Sequence, residues 1–568
     1  MFKALLSNNP NSVLNRNIRM TAKLSPFEGG RGMISKRLFK RPIFEFPIET
    51  VATSCTQKAY IQCALKHLLN FALGIDVKIL FALLQGKKIG TESPPERPKT
   101  SFVNIIGNQT FKHLFLFAAF SVLVISCKKE NSVSTDKNVR LSFSTDTILF
   151  DTIFTHVGSV TKRVKVYNQE NKAIRISKIN IEGKSSPFSL NINGKAVNID
   201  TDVQLEANDS LYIYVKALID PNLNSLPFIV SDSISLLTNG NRQVIYLEAY
   251  GQNANFITTA ELSQTTTWTN SLPYVIYKSV TVGKNVTLNI QSGTNIYFHK
   301  DASLIVAGTL KANGELEKRI EFLNDRKEQL YQKEPGQWQG ITFLGSSKNN
   351  ALNYCIIKNA IVGIKANSIS EDTRPKLLLT NSILKNMQSS ALLLDNTSVA
   401  AFNNLMYNCG QYLVYAGSGG DYNFKQNTFA AFNYNFSRSS PALYFSSNNV
   451  SASGNAITNP LILNLTNNVI WGSFENELLI DPKNLVQPLI TVSSNLIKYR
   501  SDFSIPNTNI LNKDPLFTNP RNEFFSLSTG SPALLKGESL SSDVYFPSFL
   551  STTLEGKIRT FPSALGCF

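Results

Sequence analysis

The sequence predicts an all-β protein in which an immunoglobulin-like β-sandwich is followed by a parallel β-helix, a solenoid of stacked short strands. Only 17% of the 568 residues are charged, against ~25% in an average globular protein, and 42% are hydrophobic. Short runs of alternating polar and apolar residues fill 140–253, and a repeat of twenty-odd residues marks the C-terminal half. Because single cores stop growing near ~250–300 residues, at least two units are expected.

The N-terminal stretch has a different character from the rest of the chain. Residues 1–110 show no sustained period and resemble no domain, so they are expected to be an upstream extension of the reading frame or a disordered segment. Residues 111–127, FKHLFLFAAFSVLVISC, give a short basic start and an apolar block that ends at Ser126 and Cys127. The block is shorter than the ~20 residues of a spanning helix and is typical of a signal peptide. The alternative is a buried helix that ends in a free thiol.

The last four residues of this segment, Val124 to Cys127, resemble the lipobox of bacterial lipoproteins. The resemblance implies cleavage before Cys127 and a diacylglycerol on its thiol, and therefore a membrane partner through the lipid anchor. Lys128 stands where members retained at the inner membrane commonly have Asp, which implies the outer membrane. Residues 128–139 are then a polar tether, and the expected localisation is the cell envelope.

Charge and cysteine usage exclude several classes of function. The net charge is +16, but residues 1–127 hold 17 of the basic and 6 of the acidic residues, which leaves 39 basic and 34 acidic residues for the body of the protein. No nucleic-acid partner is therefore expected. With four His, and with Cys355, Cys409 and Cys567 lacking metal-ligand spacing, no metal site and no cofactor are predicted. Cys355 and Cys409 are expected to be small buried residues.

Residues 140–253 are predicted to form the β-sandwich domain. Six or seven alternating runs, such as RLSFSTDTILF and LYIYV, are separated by turn residues at 208–210 and 239–241. That number of strands in so short a segment is typical of an immunoglobulin-like fold. No potential ligands cluster here, so the domain is expected to be a spacer or a binding module. A linker over 254–277 follows.

Residues 278–530 are predicted to form the β-helix. Rungs of similar sequence begin 27, 22, 24, 40 and 27 residues apart, at Tyr354, Asn381, Asn403, Asn427, Asn467 and Ser494. Such a period means that each rung buries its apolar face only by stacking on its neighbours, and the gap of 40 indicates a rung with a surface excursion. Asn side chains at the rung starts are expected to bond to each other from rung to rung. In each rung's apolar pair at most one residue should point inward, and Ile383 is taken as the inward one of Ile383-Leu384.

Several motifs of the C-terminal half resemble the right-handed parallel β-helix repeat proteins of the pectate-lyase-like superfamily. They are GTLKANGELEKRIEF, GQWQGITF, NNVIWG, DPLFTNPRNEFFSLSTGSPALLKG and the closing ALGCF. The resemblance covers 270–568, implies structural roles for Trp338 and Trp471, and makes 531–568 a C-terminal tail or cap. It leaves the activity open, because the superfamily includes lyases, glycosidases and adhesins.

The carboxylates of the β-helix do not form a recognisable catalytic set. A pectate-lyase-like site needs acids that hold calcium and a basic residue, and a glycosidase needs two or three carboxylates close together. The pairs Glu371-Asp372 and Glu475/Glu477 are expected to be solvated, which leaves Asp395 and Asp421 as distant partners across rungs. No catalytic residue is assigned, and a polysaccharide lyase or glycoside hydrolase remains the alternative function.

Aromatic residues interleaved with Asn and Ser give the leading prediction of function. The set is Tyr407, Tyr412, Tyr415, Tyr422, Phe424, Phe432, Tyr434, Phe436, Tyr444 and Phe445. Most are expected in the core, with Tyr412, Tyr422 and Tyr434 as outward candidates that stack on sugar rings. The sequence thus predicts a lipid-anchored, non-catalytic envelope protein whose β-helix binds carbohydrate or another envelope component. A structural or assembly protein is a further alternative.

Overall fold

The computed structural model describes residues 132–370, 372, 375–434, 437–450, 456–481 and 488–568. The predicted signal peptide with Cys127 lies outside the described residues, as do Glu371 and Phe436. None of the helices in the described ranges is long and apolar enough to cross a membrane.

The first domain is a β-sandwich of nine strands, where the sequence predicted six or seven. Its four-stranded sheet contains, in spatial order, β1 (Ser142–Phe143), β3 (Lys162–Tyr167), β7 (Ser210–Ala217) and β5 (Phe188–Ile192). Its five-stranded sheet contains β2 (Thr147–Phe154), β9 (Asn241–Gln252), β8 (Phe228–Thr238), β4 (Ile174–Ile181) and β6 (Ile199–Leu205). Alternate residues such as Val164, Val166 and Ile213 are fully buried between the sheets, as the alternating pattern requires.

The second domain is a parallel β-helix with three faces, which confirms the predicted fold class. Face 1 consists of β10 (Asn255–Ile257), β13 (Tyr274–Ile276), β16 (Asn295–Phe298), β19 (Ile320–Asn324), β22 (Cys355–Lys358), β25 (Ile383–Met387), β27 (Leu405–Cys409), β29 (Thr428–Ala431), β34 (Val469–Gly472), β37 (Leu496–Ile497) and β38 (Ile510–Leu511). Each strand pairs in parallel with the equivalent strand of the next rung.

Two further columns of parallel strands close the coil. Face 2 consists of β11 (Glu261–Leu262), β14 (Val280–Val282), β17 (Ser303–Val306), β20 (Gly340–Phe343), β23 (Ile364–Asn367), the first parts of β26 (Leu392–Phe402) and β28 (Val414–Lys425), then β30 (Leu443–Phe445) and β35 (Leu478–Ile480). Face 3 consists of β12 (Thr266–Trp268), β15 (Thr287–Ile290), β18 (Thr309–Asn313), β21 (Asn350–Asn353), β24 (Leu377–Thr380), the second parts of β26 and β28, then β33 (Leu461–Thr466) and β36 (Leu489–Ser493). Side chains of all three faces fill one continuous core.

The stack begins earlier and ends earlier than the sequence indicated. Residues 254–277, expected to be a linker, contain β10, β11 and β12, which form the first rung, and β13, which pairs with β10 and begins the second. The last strand of the stack is β38, so 512–530 lies outside it. The long gap between rungs holds an antiparallel hairpin of β31 (Asn448–Val450) and β32 (Ala456–Thr458).

Asparagine ladders run along the coil, as predicted. In the longest one the amide nitrogens of Asn404, Asn427, Asn468 and Asn495 each donate to the amide oxygen of the next rung at 2.9–3.0 Å, ending at Asn509. The residue before each ladder Asn except Asn509 adopts a positive φ, for example 56° at Asn403 and 58° at Asn467, which Asn tolerates better than most residues. The rung placed at Asn427 begins one residue earlier, because Gln426 holds this left-handed position.

The inward positions differ from the prediction at Ile383. Leu384 is fully buried in the core, whereas Ile383 is half-buried on the outside of face 1. Val469 and Ile470 are both fully buried, although only Ile470 lies in the core of the coil, as the expectation of at most one inward residue per pair requires, and Val469 is buried on the outer side of face 1. The reason is that face 1 is covered on its outer side as well.

The cover is the C-terminal segment, which returns along the coil after β38. A hairpin of β39 (Phe517–Asn519) and β40 (Phe524–Leu527) packs Phe525 against Tyr407 of face 1, with ring centroids 4.9 Å apart. At the turn of this hairpin, Glu523 accepts a hydrogen bond from Tyr407 Oη at 2.8 Å and pairs with Lys385 Nζ at 3.0 Å. Short helical turns lie at Gln329–Tyr331, Pro520–Asn522 and Phe546–Leu550. The segment therefore acts as a lateral cap.

The tryptophans and cysteines of the β-helix are structural. Trp338 is fully buried, stacks on Phe298 with ring centroids 4.1 Å apart, and donates from Nε1 to the carbonyl of Lys358 at 2.9 Å. Cys355 and Cys409 are buried free thiols, as predicted, and burial raises the pKa of each to about 12.

Candidate carbohydrate-binding surface

A column of outward side chains on face 2 is the best candidate for a binding surface. The strand register places Leu393 of β26, Tyr415 of β28, Tyr444 of β30 and Leu479 of β35 side by side. Their chain neighbours point into the core, because side chains alternate along a strand. Two tyrosines thus occupy equivalent outward positions on consecutive rungs, and Tyr412 lies at the corner that precedes β28.

The three rings form one contiguous cluster, named here the tyrosine strip (Tyr412, Tyr415 and Tyr444). Tyr415 and Tyr444 stack with centroids 5.1 Å apart and planes 11° apart. Tyr412 is tilted against both rings, at 5.2 Å from Tyr415 and 6.1 Å from Tyr444. Each ring is half-buried, so its position is fixed by packing while part of it stays open to solvent.

Carboxylates flank the strip. Asp395 lies on β26 two residues after Leu393, and Tyr444 Oη donates a hydrogen bond to Asp481 Oδ2 at 3.4 Å. Burial raises the pKa of Tyr415 and of Tyr444, and the nearby carboxylates raise both further. The phenols therefore stay protonated at neutral pH and can donate hydrogen bonds, while the carboxylates accept them.

The strip continues into a shallow cleft of about 550 Å³ at its C-terminal end. The cleft is lined by Asn476, Leu479, Tyr499, Arg500, Ser501 and Asp502. Leu393 and Leu479 lie on the first and last of four consecutive rungs, so the surface from the strip to the cleft extends at least ~14 Å along the coil. It presents rings, hydroxyls, amides and charged groups in one row.

The predicted ligand-binding tyrosines have three different environments. Tyr412 belongs to the strip. Tyr422 is fully buried inside the coil and donates from Oη to the carbonyl of Gly419 at 2.8 Å, so its outward placement was wrong. Tyr434 is exposed, but its ring stacks on Phe432 and lies beneath the guanidinium of Arg521, in the cluster at the C-terminal hairpin.

Sequence reasoning missed Tyr415 and Tyr444 and left both in the core set. The signal that could have found them is strand alternation, since each follows one apolar residue and precedes another in the runs VYA and LYF. The same alternation in DYNFK, with Asp421, Asn423 and Lys425 as the polar positions, places Tyr422 inside.

One member of the pair Glu475/Glu477 is not solvated, contrary to the expectation. Glu477 is fully buried and pairs with Arg438 Nη2 at 2.8 Å, and it also accepts backbone hydrogen bonds from Ala442 and Phe474. Burial raises the pKa of Glu477, and Arg438 opposes this shift. Glu475 is exposed, as expected, and forms a surface ion pair with Arg500.

Two other carboxylates, Asp372 and Asp421, line one cleft of about 200 Å³ together with Tyr545 of the cap. Asp372 accepts a hydrogen bond from Ser370 Oγ at 2.7 Å, and burial raises the pKa of Asp421. Asp395 does not line this cleft. Within the part of the chain that the structure describes, no three His, Cys, Asp or Glu side chains are grouped so as to hold a metal ion.

No family model and no curated protein matches the sequence. Among solved structures, the catalytic unit of a thermostable GH87 α-1,3-glucanase from Streptomyces thermodiastaticus is similar at 10% identity and a TM-score of 0.29, over 59% of this chain and 75% of that one. A GH87 α-1,3-glucanase catalytic domain in complex with tetrasaccharides aligns at 12% identity and a TM-score of 0.17, over 59% and 80% of the two chains.

A family 123 glycoside hydrolase from Clostridium perfringens aligns at 9% identity and a TM-score of 0.15, over 21% of this chain. The match spans only 30% of that enzyme's chain. Scores of this size carry no argument about activity. The fold of this protein is stated from its own strand topology, and membership of the pectate-lyase-like superfamily stays a prediction.

Proposed function

We propose that this protein is a non-catalytic carbohydrate-binding protein of the cell envelope and that the tyrosine strip binds a neutral glycan. The observation that carries the proposal is the fixed cluster of Tyr412, Tyr415 and Tyr444 on the solvent side of face 2. Tyrosine rings offer an apolar surface to sugar rings, and each has a hydroxyl that can bond to a sugar hydroxyl.

The charges beside the strip favour a neutral glycan. Asp395 and Asp481 would repel a uronate or a sulfate, but their oxygens accept hydrogen bonds from sugar hydroxyls. The row from the strip to the cleft at Leu479 has the length of a short oligosaccharide. Binding along the coil axis would let one chain contact several rungs.

The test is titration of the full chain with neutral polysaccharides, namely dextran, laminarin, pullulan and xyloglucan, by isothermal calorimetry. Tyr415→Ala with Tyr444→Ala should weaken binding of the best of these about tenfold or more, which corresponds to ~1.4 kcal/mol. The matched control is Tyr246→Ala, which removes an exposed tyrosine from the sandwich. If no glycan binds, or if the control loses as much affinity as the double variant, the strip is not the binding surface.

The enzyme alternative has a separate test at the cleft of Asp372 and Asp421. A non-catalytic protein releases no reducing ends from any of these glycans. Activity that is present in the wild type and lost in Asp421→Asn would replace the binding proposal with a hydrolase.

Attachment to the envelope is the second part of the proposal and depends on Cys127. Its lipobox-like context supports lipidation, and the multiply acylated cysteine of a lipoprotein gives firm attachment where a single chain is marginal. Cys127→Ala should release the protein from the membrane fraction. Unchanged fractionation of the variant, with residues 1–126 still present by mass spectrometry of the wild type, would contradict the anchor.

A further inference from the structure

The outer side of the four-stranded sheet of the sandwich is strongly basic. We define the basic face as Arg163, Lys165 and Lys216 together with Tyr167, Tyr212 and Tyr214. The inward residues of the same strands, such as Val164 and Ile213, fill the core, so the six side chains of the basic face point to solvent. None of the strands β1, β3, β5 and β7 contains Asp or Glu.

Cations and rings alternate across this face. Arg163 lies opposite Tyr214, and Lys165 lies opposite Tyr212 in the antiparallel register. Lys165 Nζ is 5.0 Å from the ring centroid of Tyr167 and 5.4 Å from that of Tyr212. Arg163 Cζ is 5.6 Å from the ring centroid of Tyr212. These contacts hold the cations over the sheet without neutralising them.

The cations of the basic face lack partners of opposite charge in the described ranges. Arg163, Lys165 and Lys216 form no ion pair with a carboxylate there. Their counterparts on the five-stranded sheet do, since Arg175 pairs with Asp202 and Arg242 pairs with Glu182. The two sheets of the sandwich thus differ in charge balance: the arginines of the five-stranded sheet are paired with carboxylates, whereas the strands of the four-stranded sheet carry cations and no carboxylate.

A groove of about 740 Å³ continues from one edge of this face. Its polar lining consists of Thr161, Ser189, Asn191, Asn198, Tyr214 and Lys216. Leu190, Ala196 and Val197 also line the groove beside these hydroxyls, amides, ring and ammonium group, and no carboxylate does. Such a lining matches a ligand that carries many hydroxyl groups and scattered negative charges.

We infer that the basic face and its groove bind an anionic polysaccharide, one that bears carboxylate or sulfate groups. This second site goes beyond the neutral-glycan site proposed for the β-helix and does not depend on it. Neighbouring strands lie ~4.8 Å apart and alternate residues ~7 Å apart, so the cations form an array that a polymer with regularly spaced charges can contact at several points. A membrane surface fits less well, because the outward positions of β3, β5 and β7 include no Leu, Ile, Val, Phe or Trp.

The test uses the full chain and two anionic probes, polygalacturonate for carboxylates and dextran sulfate for sulfates, with neutral dextran for comparison. The triple variant Arg163→Ala, Lys165→Ala, Lys216→Ala should weaken binding of at least one anionic probe by tenfold or more. Binding by the wild type should fall as salt is raised, because solvent-exposed charges are screened.

The matched control removes the same number of charges from elsewhere on the sandwich, through the exposed residues Lys172, Lys178 and Lys184, each changed to Ala. It should change the affinity less than twofold. An equal loss in the control would mean that net charge alone drives binding and would overturn the site.

Two further arms distinguish the basic face from a membrane contact and from a site on the β-helix. Phosphatidylglycerol vesicles that bind while neither anionic polysaccharide does would replace the inference with a membrane contact. The double variant of Tyr415 and Tyr444 should bind the anionic probes as the wild type does. If that variant no longer binds the anionic probes, the site lies on the β-helix and the inference is refuted. This outcome is independent of whether the wild type binds a neutral glycan.

Discussion

Replacing Asn427 by Ala should destabilise the β-helix more than any surface change of the same size. Asn427 is fully buried, and its Oδ1 accepts from both the backbone nitrogen and the Nδ2 of Asn404 at 3.0 Å. Its Nδ2 donates to the carbonyl of Ala401 at 2.9 Å and to Asn468 Oδ1 at 3.0 Å. Asn468 Oδ1 keeps its bond from the backbone nitrogen of residue 427 after the change.

The expected cost follows from the groups that lose their partners. Two donors of Asn404 and the carbonyl of Ala401 remain buried without those bonds, and each such group costs ~1–3 kcal/mol. The total for the three groups is about 3–9 kcal/mol, a large part of the ~5–15 kcal/mol that stabilises a domain. At ~2–4 °C per kcal/mol, the melting temperature should fall by at least ~6 °C.

Tryptophan fluorescence reports this transition selectively, because all three tryptophans, at 268, 338 and 471, lie in the β-helix and are buried. Asn313→Ala is the control, since Asn313 is an exposed residue at the end of β18. The control should melt within ~2 °C of the wild type. If Asn427→Ala also melts within that range, the ladder does not stabilise the coil, and the reasoning from buried amides fails.

Three other predictions test the register, an ion pair and a titration. Leu384→Asp should lower the free energy of unfolding by several kcal/mol, because it buries a carboxylate in the core. Ile383→Asp, on the outer side of face 1, should lower it clearly less. Equal melting temperatures of the two variants would contradict the register. Glu477→Ala should lower the free energy of unfolding, measured in urea, by ~3–5 kcal/mol, because it leaves Arg438 buried without its carboxylate. A loss under ~1 kcal/mol would refute this prediction. Burial lowers the pKa of Lys327 to about 8, below the ~10.4 of an unfolded lysine, so the unfolded chain binds its proton more tightly. The melting temperature of the wild type relative to that of Lys327→Met should therefore rise between about pH 8 and pH 10.4. A difference in melting temperature that does not change with pH would contradict this prediction.

The parts of the fold that could be predicted are those in which local pattern and spatial position coincide. In a stacked coil, equivalent positions of successive rungs meet directly, so the Asn residues spaced by one rung in sequence form a ladder in space. The period alone was therefore enough to predict both the β-helix and its ladders.

Inward and outward positions were harder, because they depend on register to a single residue. The rung aligned on Asn427 begins at Gln426, and a slip of one residue exchanges the two sides of a strand. Tyr422 was predicted to face outward but is buried, and the alternation of its polar neighbours contains the correct answer. Tyr415 and Tyr444 joined the candidate site only when the pairing of β28 with β30 was known.

Contacts between distant parts of the chain could not be predicted at all. Glu477 and Arg438 are 39 residues apart, and their pairing depends on the path of the intervening loop and hairpin. The return of the C-terminal segment over face 1 buries Val469 against Ala533 and Leu565, residues that are far from it in the sequence.

The sequence by itself determined the two-domain all-β architecture, the rung period, the Asn ladders and the buried thiols, because short-range alternation and repetition dictate each of them. The tertiary structure decided which tyrosines face solvent, which carboxylates are buried and where uncompensated positive charge lies. These features depend on strand register and on long-range packing, and both arise from interactions between residues that no local pattern connects.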